Sequence, residues 1–350
     1  MPARPTLLAT AGALVALAVA CVLSLLVGAR TVPLDAAWQA VLAFDPGSAD
    51  HVVLASRLQR TLAGLAVGVA LALAGAGLQG MTRNPLADPG ILGLNSGAAA
   101  AVATGVYLFS FSSVTQFMAA GFVGAALAAV LVYALAAASR TGATPITLAI
   151  AGAAVTAGLG SLVHALVILD QGALDRMRLW QVGTLGARDL GDLAAVAPAL
   201  LIGAVIVLGA SRSLNALALG DDAAAGLGVH VGRTRVVLGV GIVLLVGAAV
   251  SLAGPVGFLG LVVPHAVRLL VGSDHRRLLP LSLLLGPVVL LLADVVGRVI
   301  APPAEVQVGV MTALLGVPVD PDVLTLIRDA ADLLLIAARR IDPDHQETAP

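Results

Sequence analysis

The chain has 350 residues, of which 59% are hydrophobic and 11% charged, and its mean hydropathy is +1.02. Soluble domains carry about 25% charged residues, so a water-soluble globule is excluded and the chain reads as an all-α integral membrane protein. Net charge is −1, which gives no reason to expect a nucleic-acid partner, and the single cysteine, Cys21, excludes an internal disulfide.

Leu7 to Ala29 is an uninterrupted apolar run, long enough at about 1.5 Å per residue to cross a hydrocarbon core of about 30 Å. It reads as a first span rather than a cleaved leader, because the apolar pattern continues past Cys21 and more spans follow. Arg30 to Ser56 is a loop with a short helix around Trp38, and Arg57 opens a second span ending near Gly80. RNPLADPG (Arg83–Gly90) is a tight polar turn, since its prolines and glycine stop a helix. Further spans are expected over Ile91–Leu108, Val114–Ala138, Thr144–Leu169 and Leu193–Ala210, with Asp170–Asp192 a polar loop containing Trp180.

Ser211 to Arg235 differs from everything around it. It is too polar to span a bilayer, yet Leu214, Leu217, Leu219, Ala223, Ala224 and Leu227 recur at helical spacing. Gly220, Gly226, Gly228 and Gly232 interrupt that pattern. The expected structure is two short amphipathic helices joined at glycines, with an apolar stripe that calls for a partner.

Beyond it, spans are expected over Val236–Ala253, Val256–Val271 and Leu278–Ile300, broken at Gly254–Pro255 and at the charged turn Ser273–Arg277. A glycine- and proline-containing run to Val319 and a mixed helix over Val323–Ala338 together make a tenth, broken crossing. The result is about ten spans with a weak internal repeat. They form a single transmembrane domain over residues 1–340, and residues 341–350 form a disordered tail. Ten crossings place both termini on one side. About 12 of the 19 arginines then share that side with Ser211–Arg235 and about 7 lie opposite, so the termini and this segment are expected in the cytoplasm.

Several residues suggest chemistry. Arg57 and Arg60 share a helix face, on the external side of this topology, where guanidinium forks suit carboxylates of a partner. Asp294 and Arg298 are spaced to pair along one helix. Pro264, His265 and Arg268 fall within a membrane-level helix; a structural or coupling role is expected there rather than a metal site. Gln79, Arg83 and Asn84 are placed to tie up backbone groups at the RNPLADPG turn. The sequence holds no GxxxxGK[ST], no dinucleotide fingerprint and no catalytic set, so no cofactor and no enzymatic activity are expected.

The stretches Arg57–Ala98, Leu179–Leu185 (LWQVGTL), Leu219–Arg235, Ala253–Arg298 and Glu305–Val319 occur in an order that resembles permeases of the FecCD type, from bacterial ABC importers of iron–siderophores, haem and cobalamin. The resemblance covers most of residues 57–319. It implies a multi-pass subunit of the inner membrane, pairing with a second permease subunit as a homo- or heterodimer amid membrane lipid. It implies that Leu219, Gly220, Ala224, Leu227 and Gly228 couple to a cytoplasmic ATP-binding subunit. It further implies that Arg57, Arg60 and Arg298 receive acidic residues of an external substrate-binding protein. An iron–siderophore-type chelate is the expected cargo on family frequency. Two departures stand out: RLQR replaces the usual RLPR, and the segment after GVPV is unusually polar, with Asp320, Asp322, Arg328, Asp329 and Asp332. The alternative is a stand-alone secondary transporter or channel, whose repeats and broken helices would look alike. The amphipathic segment and the lack of an acidic relay favour the importer.

Overall fold

A computed structural model describes residues 3–316, except 29, 31, 141, 143, 170–179, 187, 302 and 303. The helix expected over Val323–Ala338, the tail, and most of the Asp170–Asp192 loop therefore lie outside the described residues. The regular structure of the described residues is all helical, with no strand among them. In order they form α1 (Ala3–Leu26), α2 (Leu34–Leu42), α3 (Ala49–Thr82), a 3₁₀ turn (Pro89–Leu92), α4 (Leu94–Phe109), α5 (Val114–Ala137) and α6 (Pro145–Leu169). Then follow α7 (Leu190–Gly209), α8 (Ser211–Ala218), α9 (Asp221–Gly226), α10 (Val231–Ala253), α11 (Leu259–Val271), α12 (His275–Ile300) and α13 (Val308–Gly316). Seven of these are long and apolar enough to cross a membrane, and α4 and α11 are shorter apolar helices.

The first nine expected spans each correspond to a helix, with shifted edges; of the tenth, broken crossing only Val308–Gly316 falls among the described residues. The largest shift is at α3, whose 34 residues start at Ala49, about two turns before Arg57. Arg57 and Arg60 therefore sit inside the helix instead of opening it. α10 begins at Val231, so Arg233 and Arg235 belong to its first turns and only Ser211–Gly226 forms the pair of short helices.

The core is built on α3. It packs against α12, α10, α11 and α7, and from Val67 to Leu78 its apolar residues other than Val69 are buried. With lipid on the outside, helices gain by close packing rather than by escaping water, and small residues permit it. Gly75 shows the limit: a Cβ there would lie 1.9 Å from the carbonyl oxygen of Gly260 on α11. Large apolar side chains such as Leu7, Ile146, Val205 and Leu201 face outward, as a lipid-facing surface requires.

Chain breaks follow their sequences. α3 ends with Arg83 in the left-handed region at φ 54°, its N–H returning to Gln79 O as in a helix C-cap. Asn84 Oδ1 accepts from Leu86 N at 2.9 Å and Asp88 Oδ1 from Gly90 N at 2.8 Å, which fixes RNPLADPG as two side-chain-closed turns. The break after Ala253 is braced by the LWQVGTL stretch. Thr184 N donates to Ala253 O at 2.7 Å, and Gly309 N at the start of α13 donates to Gly183 O at 3.2 Å. Trp180 is buried beside this junction.

Candidate functional site

Most of the polar residues singled out in the sequence collect at the two ends of the bundle. Arg57 and Arg83 mark these ends on α3, about 39 Å apart along the helix at 1.5 Å per residue.

At the first end, Arg57, Arg60 and Arg298 come together with Asp294 and Glu305. The Arg60 guanidinium donates through Nε and Nη2 to Asp294 at 2.8 to 3.1 Å, and through Nη1 to Glu305 at 2.7 Å. Arg298 Nε lies 3.2 Å from Asp294 Oδ2, the i,i+4 pair expected from spacing. Arg298 also donates to Ser24 O at 3.0 Å and Ser24 Oγ at 3.3 Å. Arg57 donates to the carbonyls of Leu25 (3.1 Å), Leu26 (3.0 Å) and Arg30, at the end of α1. The three arginines expected to meet an external partner are thus unequally accessible in this chain. Arg57 is 8% exposed and Arg298 only 2%, and both are spent on internal partners. Burying a charge is costly unless it is paired and hydrogen-bonded; the end of α1 and the residues after it supply the hydrogen bonds of both guanidinium groups, and Asp294 supplies Arg298 with its ion pair. Of this cluster, Arg60 and Glu305 are the members that reach solvent, with side chains 14% and 36% exposed.

At the opposite end, α8 and α9 are clamped to the bundle. Leu214 and Leu217 are buried. Asn215 bridges to the start of α12: its Nδ2 donates to Asp274 Oδ1 at 2.6 Å, and its Oδ1 accepts from His275 N at 2.9 Å and lies 2.9 Å from His275 Nδ1. Asp274 also caps α12 by accepting from Arg276 N at 3.0 Å. The Asn215 and Arg276 hydrogen bonds hold its carboxyl below the usual carboxylate range. On α9, Asp221 pairs with Arg83 at 3.3 Å and Arg235 at 3.0 Å. Gly220 and Gly228 sit at φ 110° and 82°, conformations that glycine adopts without penalty and other residues rarely do, so the chain can turn sharply on each side of α9.

The apolar stripe divides. Leu219 and Leu227 are 68% and 65% exposed, whereas Ala224 is fully buried. Ala224 was expected on the contact face with Leu227; it instead anchors α9 to the bundle. The reason is that the ion pairs of Asp221 fix the roll of a six-residue helix, which spacing alone does not reveal.

Between the ends, Gln79 does more than close its turn. Its Nε2 donates to Gly260 O at 3.2 Å and its Oε1 accepts from Arg268 Nη2 at 2.8 Å, tying α3 to the short helix α11. Sequence reading assigned Gln79 to the RNPLADPG turn and missed this contact. It also missed Arg188, which is buried and donates to Leu252 O near the end of α10; burial pulls its guanidinium below the usual arginine range.

Comparison with known proteins then places this arrangement. The model of the FecCD transport family matches residues 16–319. The ferric enterobactin transport system permease protein FepD of Escherichia coli (strain K12) is 42% identical over 312 residues, covering 89% of this chain and 93% of that protein. The cobalamin import system permease protein BtuC of Halobacterium salinarum is 42% identical over 298 residues, covering 85% of this chain and 79% of that protein. Among solved structures, a metal-chelate type ABC transporter in an inward-facing conformation superposes with a TM-score of 0.78 at 29% identity, covering 89% of this chain and 97% of that one.

Proposed function

The chain belongs to the FecCD transport family, and from that premise we propose that it is the membrane-spanning permease subunit of a bacterial ABC importer. The cargo is an iron chelate of the siderophore type, the class suggested by the names of relatives such as the ferric enterobactin permease and a probable siderophore transport permease of Bacillus subtilis. ATP is hydrolysed by a separate cytoplasmic subunit, and a second permease subunit completes the path. The protein sits in the inner membrane with its termini and the α8–α9 segment inside, as its arginine distribution favours.

The observation that carries this reading is the α8–α9 segment. It presents Leu219 and Leu227 to water while Asn215, Asp221, Leu214, Leu217 and Ala224 lock it to α3 and α12. An exposed apolar pair on a rigid support is costly unless a partner covers it, and a rigid support transmits force where a flexible linker would not. At the other end, the face around Arg60 and Glu305 receives the substrate-binding protein. Its binding there depends on Arg60, because Arg57 and Arg298 are committed inward. The test is reconstitution with the ATPase and binding protein in proteoliposomes. Ferric-chelate-stimulated ATP hydrolysis and uptake are expected, and uptake without ATP would refute the assignment.

A further inference from the structure

Beside the α8–α9 segment lies a cleft of about 480 Å³, between the last turns of α7 and the first turns of α10. Ser213, His230, Arg233 and Thr234 line it near the helix ends, and Val205, Ile206, Val237 and Leu238 lie about a turn further along. The cleft is thus graded from polar to apolar along the helix axes over about 6 Å. Three features indicate what fills it.

The first is charge. No carboxylate lines the cleft, and the Arg233 side chain has no hydrogen bond or ion pair to any described residue. Its neighbours behave otherwise: Arg83 and Arg235 both pair with Asp221. Arg233 is thus an available guanidinium facing a vacant volume. The second is continuity. Val205 and Val237 are exposed, and they continue into an apolar outer face that includes Leu201, Ile202 and Val240, the surface turned to lipid. The third is position. Arg233 stands where α10 leaves the apolar span, the level at which basic side chains meet headgroups.

We propose that this cleft is a binding site for an anionic membrane phospholipid, with the headgroup phosphate on Arg233 and an acyl chain laid along Val205 and Val237. A phosphate accepts paired hydrogen bonds from a guanidinium fork, and the apolar part of the cleft rejects a purely polar anion. The site touches Ser213 on α8 and Gly228 just after α9, so an occupying lipid braces both flanks of the segment proposed to meet the ATPase. Lipid binding itself depends only on this chain, and it stands or falls separately from the identity of the cargo.

The test uses the full chain purified in neutral detergent and titrated with phosphatidylglycerol or phosphatidylcholine, with retained lipid read by native mass spectrometry. Preferential retention of phosphatidylglycerol is expected, and Arg233→Gln is expected to lower its affinity about fivefold, the contribution typical of one basic residue at an anionic surface. Arg212→Gln is the control, since Arg212 is also exposed on this end but does not line the cleft; it should leave binding unchanged. Gly209→Leu fills the cleft without touching a charge, at a position where a Cβ meets nothing within 4 Å, and should also reduce binding. Equal retention of both lipids, or equal losses for Arg212→Gln and Arg233→Gln, would overturn the proposal in favour of diffuse surface attraction. Inorganic phosphate displacing the lipid at millimolar concentration with the same dependence on Arg233 would instead make the site one for a free anion.

Discussion

Arg60 and Asp294, 234 residues apart in sequence, are joined side-on: Nε of the guanidinium lies 3.0 and 3.1 Å from the two carboxylate oxygens and Nη2 lies 2.8 Å from one of them. Asp294 also meets Arg298 at 3.2 Å, and it is 1% exposed. One buried carboxylate thus neutralises two guanidinium groups on two helices.

Removing Asp294 would leave those cations without their main counter-charge. Asp294→Ala is expected to destabilise the fold by about 3–5 kcal/mol, the usual cost of breaking a buried pair from one side. Glu305→Gln, at a partly exposed position, should cost no more than about 1 kcal/mol. Thermal unfolding of the purified variants checks this, and comparable losses for the two would show that burial is not what sets their worth.

Docking at this end should depend unequally on the three arginines. Arg60→Gln is expected to weaken association with the substrate-binding protein and flatten its salt dependence, since charge-assisted contacts are screened by salt. Arg57→Gln should act mainly on folded yield, because its bonds run to the carbonyls of α1. Affinity titrations over a range of ionic strength decide between them; an Arg57 effect on affinity at normal yield would restore that residue to the docking face.

The Asn215–Asp274 contact should respond to acid. The Asp274 carboxyl has a lower pKa in the folded protein than in the unfolded chain. The stabilisation is therefore present above the ordinary aspartate pKa and is lost as pH falls through the folded value. The neighbouring charges of Arg277 and Arg276 lower this pKa further. Hydrogen exchange in α8 is expected to accelerate below about pH 4, and Asp274→Ala should show fast exchange at all pH values. Unaltered exchange in the variant would mean that Leu214 and Leu217 hold α8 without the polar contact.

Much of this was legible in the sequence, and what was not has a common cause. Hydropathy located every described span, and i,i+4 spacing gave the Asp294–Arg298 pair. Prolines, Asn84 and Asp88 gave the turn after α3. What escaped were partners set by tertiary packing. Nothing local to Arg60 points to Asp294, so its charge suggested a helix boundary and an outward face. Ala224 has the periodicity of Leu227, yet ion pairs from Asp221 to Arg83 and Arg235 roll it inward. Gln79 belongs by position to a turn and by contact to α11.

In the proposed importer, ATP drives this protein through the exposed apolar pair on α8–α9. Ala224→Arg is a poor probe, because it would force a charge into packed interior and disturb the segment itself. Leu219→Asp with Leu227→Asp is the direct one, as both side chains face water and a surface change of this kind usually alters stability by less than about 0.5 kcal/mol. The measurement is ATP-driven uptake of a ferric siderophore into proteoliposomes holding the permease, its ATPase and its binding protein. The double variant should reach normal membrane levels with an unchanged melting temperature and lose uptake at least tenfold. Uptake at the wild-type rate would show that the segment is only a connection between α7 and α10, and would contradict the proposed route of coupling.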